Sequence, residues 1–442
     1  VNGRRLRISP QRTPLRGQIA VPGDKSISHR AILLGAIADG TSSIRNWLPA
    51  GDTLATLAVA RALGVTIRVT ERSPLAWDLE IEGRGLHGLQ PPVGALDCRN
   101  AGTCMRLLAG LLAGQTFGIV LDGSEQLRKR PMRRITAPLA DMGARIQATD
   151  GRAPLTIEPA ALHGIEHVMA VASAQVKSAI LLAGLYATGE TRVFQPGPAR
   201  DHTERMLSAM GVPLAEQDGW VTLPAERPSQ LLPLDLTVPG DISSAAFPLV
   251  AAAIVPHSEI TLTNIGANET RTGLLDMLRA MGANFTVLDE RQTGGETAVD
   301  LTVRFDELHG ADIGGTAVVR GIDEFPILAV AATQAAGDTT VRDAAELRVK
   351  EVDRIGVLAA ELRKMGVSIS EADDGFTISG PQRLRGAQVD SHDDHRLAMS
   401  LAVAGLVADA PTFVDDAQCA RDSFPEFVEV MRALGANMSW ET

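Results

Sequence analysis

Aromatic side chains are scarce in this 442-residue chain: Phe, Trp and Tyr together make up 3% of it, with a single tyrosine. The core must therefore be filled by Leu, Val, Ile, Ala and Met. Stacking platforms of the kind that bind single-stranded nucleic acid are not expected. Cysteine is nearly absent. Cys98, Cys104 and Cys419 have no metal-ligand spacing, and so low and odd a count points to reduced thiols and a cytoplasmic protein. Long apolar runs are missing too. Those at residues 107–113 and 245–256 fall short of the roughly 20 residues that a membrane span needs. Arg4, Arg5 and Arg7 lead into polar residues and not into the apolar stretch of a signal peptide. Basic excess is also lacking. The formal net charge is −11, which argues against a general nucleic-acid or membrane-surface binder but leaves room for a small basic pocket.

What is present is repetition. The chain is too long for one ordinary core, so two large domains are expected. A short pattern of apolar residue, two variable residues, Met or Leu, Gly, then Ala or Val recurs, placing Gly64, Gly143, Gly211, Gly282, Gly366 and Gly435 roughly 70 to 85 residues apart. Before these glycines, apolar residues fall at helical spacing, as in Leu274, Leu278 and Met281 or Ile355, Leu358, Leu362 and Met365. Each glycine sits where a left-handed residue ends a helix. An alternating strand follows, as at residues 65–69 and 367–370. The expected fold is α/β, built from six copies of one unit. A longer echo divides them: Val21-Pro22-Gly23-Asp24-Lys25-Ser26 returns as Val238-Pro239-Gly240-Asp241-Ile242-Ser243, with three units after each copy. Two similar domains are expected, a discontinuous one at residues 1–22 plus 241–442 and one at 23–240, joined by two crossovers.

Four stretches place small or polar residues and a cation at an expected helix start, where backbone N–H groups and the helix dipole favour anions. They are Asp24-Lys25-Ser26 with Arg30, Asn100-Ala101-Gly102-Thr103 with Arg106, Ser173-Ala174-Gln175 with Lys177, and Ser391-His392-Asp393-Asp394-His395-Arg396. Each also has an ordinary reading, with Ser26, Thr103 or Ser173 as a plain helix cap. Contiguous His392, Asp393, Asp394 and His395 fan out around a helix, so no metal site is expected. Two further segments are a basic run at residues 128–134, which includes Arg130, and Arg348-Val349-Lys350-Glu351-Val352-Asp353-Arg354. The latter is read as holding Lys350, Glu351 and Arg354 within one helical turn, with surface pairing as the alternative. Cations contributed by both halves suit a multiply charged anion. At about 4 Å and an effective dielectric near 20, each pair contributes roughly 4 kcal/mol before desolvation.

Together these motifs resemble the signature of the 5-enolpyruvylshikimate-3-phosphate synthase family of enolpyruvyl transferases, in the family's order and over nearly the whole chain. The resemblance implies two domains, each of three βαβαββ repeats, joined by two crossovers around a closing cleft. The related transferase that acts on UDP-N-acetylglucosamine is the alternative enzyme. It typically has Lys-Asn at the Lys25-Ser26 position and a cysteine in the basic loop, and residues 123–134 hold none. A non-catalytic anion-binding module and a ring-forming assembly protein are the alternatives of other classes. Residues 173–177, 200–204 and 322–326 are similar to the class II bacterial subgroup. At the position of the class I C-terminal lysine stands Asp422, beside Arg421.

The chemistry and the residue roles are implied by the resemblance alone. Phosphoenolpyruvate would donate its enolpyruvyl group to the 5-hydroxyl of shikimate 3-phosphate, with no metal or cofactor, in a cytoplasmic monomer that glyphosate inhibits. Asp323 would be the base near the 5-hydroxyl and Glu351 would serve proton transfer at the methylene. Lys25 and Lys350 would lie close to both substrates, and His395 is counted with the catalytic residues. Shikimate 3-phosphate would be held by Lys25, Ser26, Arg30, Ser173, Ala174, Gln175, Arg200, Asp323 and Lys350. Phosphoenolpyruvate would be held by Lys25, Gly102, Arg130, Gln175, Arg354 and Arg396.

Overall fold

The computed structural model describes residues 4–293 and 295–441. Residues 1–3 and 442, which end the expected discontinuous domain, lie outside the described residues, as does residue 294. Among the described residues the strands form six four-stranded sheets. In each, a parallel pair is followed by an antiparallel third strand. An example is Leu96–Asp97 parallel to Ile119–Asp122, which pairs antiparallel with Arg152–Glu158. Strand, helix, strand, helix and hairpin make one unit, as the family resemblance implies.

Each unit carries two kinds of helix. One kind is buried over most of its length. These are Lys25–Ala36, Gly102–Ala113, Ala174–Gly184, Ile242–Ile254, Phe325–Gln334 and His395–Leu406. Every residue of Ile242–Ile254 is buried. The other kind buries a single face and ends on the repeat glycine. All six glycines are left-handed, with φ between +82° and +94°. The hydrogen bonds repeat as well. Gly64 N–H donates to Arg61 O and Val65 N–H to Ala60 O, and Gly366 and Val367 do the same to Arg363 and Leu362. This double bond satisfies carbonyls that the helix end would otherwise leave open. The strands after these glycines begin slightly later than the alternation suggests, at Thr66 and Ile369, because the second residue of each closure is still bonded back to the helix.

The chain divides into two compact units. Among the described residues, unit 1 comprises 4–22, 239–292 and 297–441, and unit 2 comprises 23–238, 293, 295 and 296. Unit 1 is discontinuous because its sheets need the first strands of the chain. Leu6–Ile8 lies between Thr412–Asp415 and Met438–Trp440, and Arg16–Ala20 runs parallel to Glu259–Gly266. In unit 2, Asp235–Thr237 returns to pair with Thr41–Trp47. The echoed segments do matching work. Asp24 caps Lys25–Ala36 by accepting from Ile27 N–H, and Asp241 caps Ile242–Ile254 by accepting from Ser243 N–H. Ser26 is therefore not the cap; Asp24, two residues earlier, takes that place. Among the described residues no helix is long and apolar enough to cross a membrane.

Candidate active-site clusters

In unit 2 the sequence-selected residues gather at the starts of the buried helices. Arg30, 2% exposed, spans three elements. Its Nε donates to Thr203 Oγ1 (2.7 Å), Nη2 to Ser178 Oγ (2.9 Å) and Nη1 to Ser26 O (3.0 Å). Arg200 Nη1 donates to Ser26 Oγ at 3.2 Å, so Ser26, Arg30 and Arg200 form one group. Lys25 Nζ sits 3.1 Å from Asp52 Oδ2, at the start of the helix Gly51–Ala62.

A second group centres on Gly102. A Cβ placed there would lie 2.8 Å from Arg130 Nη1, 3.2 Å from Arg130 Cζ and 3.5 Å from Arg106 Nη1. Two guanidinium groups thus converge on a helix N-terminus, a combination that favours an anion. Gln175 ties this group to the next helix. It donates to Thr103 Oγ1 (2.9 Å) and accepts from Arg106 Nη1 (2.6 Å). Ser173 is the cap of Ala174–Gly184, accepting from Val176 N–H, so its ordinary reading holds, while Thr103 lies inside its helix.

Lys177 corrects the sequence expectation for this stretch. Its side chain is fully buried and is spent on internal partners: Nζ lies 2.5 Å from Glu204 Oε1, 2.7 Å from Gln195 Oε1 and 3.3 Å from Ala199 O. Burial pushes the Glu204 carboxyl up, against the pull of Lys177. The basic run is also divided. Arg128 pairs with Asp122 at the surface, whereas Arg130 reaches Gly102.

In unit 1 the cluster is built on Asp323. Lys350 Nζ lies 3.3 Å from it, Arg354 Nη1 3.4 Å and Arg396 Nη2 3.7 Å. Glu351 accepts from Arg354 Nη2 at 2.7 Å, and Asp394 accepts from Arg354 Nε at 2.8 Å. Burial disfavours the Arg354 charge, but Asp394, Glu351 and Asp323 together hold it above the ordinary arginine value. Burial pushes the Lys350 ammonium down, opposed by Asp323. Lys350, Glu351 and Arg354 do not share a helical turn. The 3-10 helix Ala345–Val349 ends at Lys350, whose backbone is extended, and Asp353 accepts from the N–H groups of Ile355 and Gly356 at the start of the next helix. The bend brings Glu351 back onto Arg354. Nor are His392 and Asp393 helical. Both are left-handed, at φ +51° and +58°, and deliver the chain to Asp394, which caps His395–Leu406. His395, 5% exposed, is the first residue of that helix, and Arg396 is the second. Arg421 is exposed on the 3-10 helix Ala417–Asp422.

Some members of these clusters escape a sequence reading. Asp52 is a remote partner with no motif of its own, and Ser178 and Thr203, although they lie beside and within the stretches 173–177 and 200–204, carry no sign of their bonds to Arg30. Ser243 had a signal: it occupies the place of Ser26 in the echoed segment. It donates to Glu324, and Arg271 Nη2 donates to it at 2.8 Å.

The sequence profile of the EPSP synthase (3-phosphoshikimate 1-carboxyvinyltransferase) family matches residues 10–431. The 3-phosphoshikimate 1-carboxyvinyltransferase of Citrifermentans bemidjiense is 50% identical over 422 residues, 95% of this chain and 97% of that protein. The protein of the same name from Halorhodospira halophila is 50% identical over 437 residues, covering 98% and 97%. The solved structure of EPSP synthase from Acinetobacter baumannii superposes with a TM-score of 0.87 at 42% identity, covering 99% of this chain and all of that one. Near-full-length identity of this order, on the same repeat architecture, means that the chain belongs to the EPSP synthase (3-phosphoshikimate 1-carboxyvinyltransferase) family.

Proposed function

We propose that the chain transfers the enolpyruvyl group of phosphoenolpyruvate to the 5-hydroxyl of shikimate 3-phosphate, the family's step towards aromatic amino acids, with a division of labour between its clusters. The observation that carries this reading is the environment of Asp323. It lies within 3.7 Å of Lys350, Arg354 and Arg396, and Glu351 sits on Arg354. Carboxylates interleaved with cations suit proton transfer next to bound anions. The Gly102 group, with Arg106 and Arg130, has instead the makings of a plain anion cradle.

In this scheme Ser26, Arg30, Arg200, Ser173, Ala174 and Gln175 hold shikimate 3-phosphate. Arg130, Arg354 and Arg396, with Gly102, hold phosphoenolpyruvate. Lys25 and Lys350 contact both. Asp323 takes the proton of the 5-hydroxyl as its oxygen bonds C2 of phosphoenolpyruvate. Glu351 delivers a proton to the methylene carbon, which becomes a methyl group. The tetrahedral adduct then returns a proton from that methyl to Glu351 and expels phosphate, which takes up the proton held by Asp323, forming the enol ether. Atoms balance with no further reactant.

The test is phosphate release with both substrates present. Asp323→Asn and Glu351→Gln should each lower kcat by about 10²–10⁴-fold, while Arg30→Ala should mainly weaken shikimate 3-phosphate binding. Wild-type turnover in Glu351→Gln would remove Glu351 from the scheme.

A further inference from the structure

Glu324 follows Asp323 in sequence but points elsewhere, and the proton transfers assigned to Asp323 and Glu351 do not use it. It is 1% exposed. Its Oε1 accepts from Ser243 Oγ and lies 3.5 Å from Arg396 Nη1. Its Oε2 is buried without a hydrogen-bond partner among the described residues. A buried carboxylate normally needs its charge matched and its lone pairs filled. Here both duties fall on a side chain from each of two other helices, Ser243 from Ile242–Ile254 and Arg396 from His395–Leu406. Glu324 itself stands at the N-cap position of Phe325–Gln334. Three helix starts are thus joined through one carboxylate.

The hydroxyl of Ser243 is itself fixed. It accepts from Arg271 Nη2 (2.8 Å), which also donates to Asp241 Oδ1 (3.0 Å), so its only proton is directed at Glu324. Asp241, Ser243 and Arg271 are each 2–3% exposed, so the arrangement is closed to water. At the other end the Arg396 guanidinium is shared. Nη1 faces Glu324 at 3.5 Å and Nη2 faces Asp323 at 3.7 Å. Neither is a tight pair. Opposed attractions leave the guanidinium between two carboxylates, with neither engaged at close range.

We propose that Glu324 is a positioning residue for the phosphoenolpyruvate-binding step, holding Arg396 off Asp323. Without its charge, Arg396 closes onto Asp323. That contact withdraws an anion ligand and occupies the base in one movement. The inference rests on reading Arg396 as a phosphoenolpyruvate ligand. It differs from a purely structural role in which substrate's kinetics move.

The experiment compares wild type, Glu324→Gln, Ser243→Ala and Arg396→Lys. Each is assayed for KM and kcat with phosphoenolpyruvate, for shikimate 3-phosphate affinity by calorimetry, and for thermal midpoint. Glu324→Gln keeps an acceptor for Ser243 and loses the charge. It should raise KM for phosphoenolpyruvate about tenfold and lower kcat, with shikimate 3-phosphate affinity within about twofold of wild type. Ser243→Ala should raise the same KM by about threefold, and it tests the inference even if Glu324→Gln does not fold. Unchanged KM in these two, with KM raised in Arg396→Lys, overturns the role of Glu324 alone. Unchanged KM in Arg396→Lys overturns the ligand reading beneath it. Equal losses for both substrates that follow the thermal midpoint would make Glu324 structural.

Discussion

Arg354 and Asp394 meet at 2.8 Å with side chains 1% and 0% exposed, and Asp394 at the same time caps the helix that begins at His395. The two duties can be separated. Asparagine caps a helix about as well as aspartate, so Asp394→Asn removes the charge and keeps the cap. Breaking a buried pair by removing one partner costs about 3–5 kcal/mol. The midpoint of urea-induced unfolding should fall clearly in Asp394→Asn, and Asp394→Ala should fall further by about 1 kcal/mol for the lost cap. An asparagine variant as resistant to urea as wild type would show that Glu351 and Asp323 alone neutralise Arg354.

Gly102→Ala should act through Arg130. The added methyl would stand 2.8 Å from Nη1, too close for any real contact, and the flexible guanidinium would swing aside. An anion held by that guanidinium loses affinity. Glyphosate, expected to compete with phosphoenolpyruvate here, should lose more than the smaller substrate. A misfit of one methyl typically costs about 1–3 kcal/mol, or roughly 10–200-fold. Inhibition constants measured under identical phosphoenolpyruvate and salt provide the check, and equal constants would place sensitivity elsewhere.

The six-fold architecture was legible because one glycine recurs with one conformational demand, a left-handed helix end that Gly64 to Gly435 all meet. The clustering at helix starts was legible because Asn100-Ala101-Gly102-Thr103 is a short-range pattern and Arg130 stands in a dense basic run. Two things were not. Side-chain direction is decided by packing, so Lys177 and Arg130 read alike as cations, though one is sealed against Glu204 and the other reaches Gly102. Local backbone can also be overruled by a single side chain. Asp353 bonds two N–H groups ahead of it and starts a new helix beyond Arg354, while the chain turns extended at Lys350, inside the turn expected from Lys350 to Arg354. The pairing of Thr203 with Arg30, 173 residues away, leaves no trace in the local sequence, although residues 200–204 stand out for their family likeness.

The sealed Lys177–Glu204 pair can be tested by removing its charges one at a time and together. Lys177→Met leaves Glu204 buried without its cation and should be strongly destabilising, by about 3–5 kcal/mol. The double variant Lys177→Met with Glu204→Leu removes both charges and should recover most of the loss. Thermal midpoints of the two singles and the double decide it. A double variant no better than Lys177→Met would mean that the contacts of Lys177 to Gln195 and Ala199 matter more than the charge pair.

Lys350 should set an alkaline limit on activity. Its ammonium must keep a proton to attract anions, so activity is present below its pKa and is lost as pH rises through it. Burial lowers that pKa from the usual lysine value, while Asp323 opposes the shift. The alkaline limb of kcat/KM for phosphoenolpyruvate should therefore fall below the unperturbed lysine value of about 10.4. Lys350→Arg, charged at every accessible pH, should move that limb upward even if kcat drops. Asp323→Asn removes the carboxylate that favours the charged form and should move it downward in the residual activity. Profiles over about pH 6–10 would show both displacements. A limb at the same pH in wild type and Lys350→Arg would assign the titration to another group.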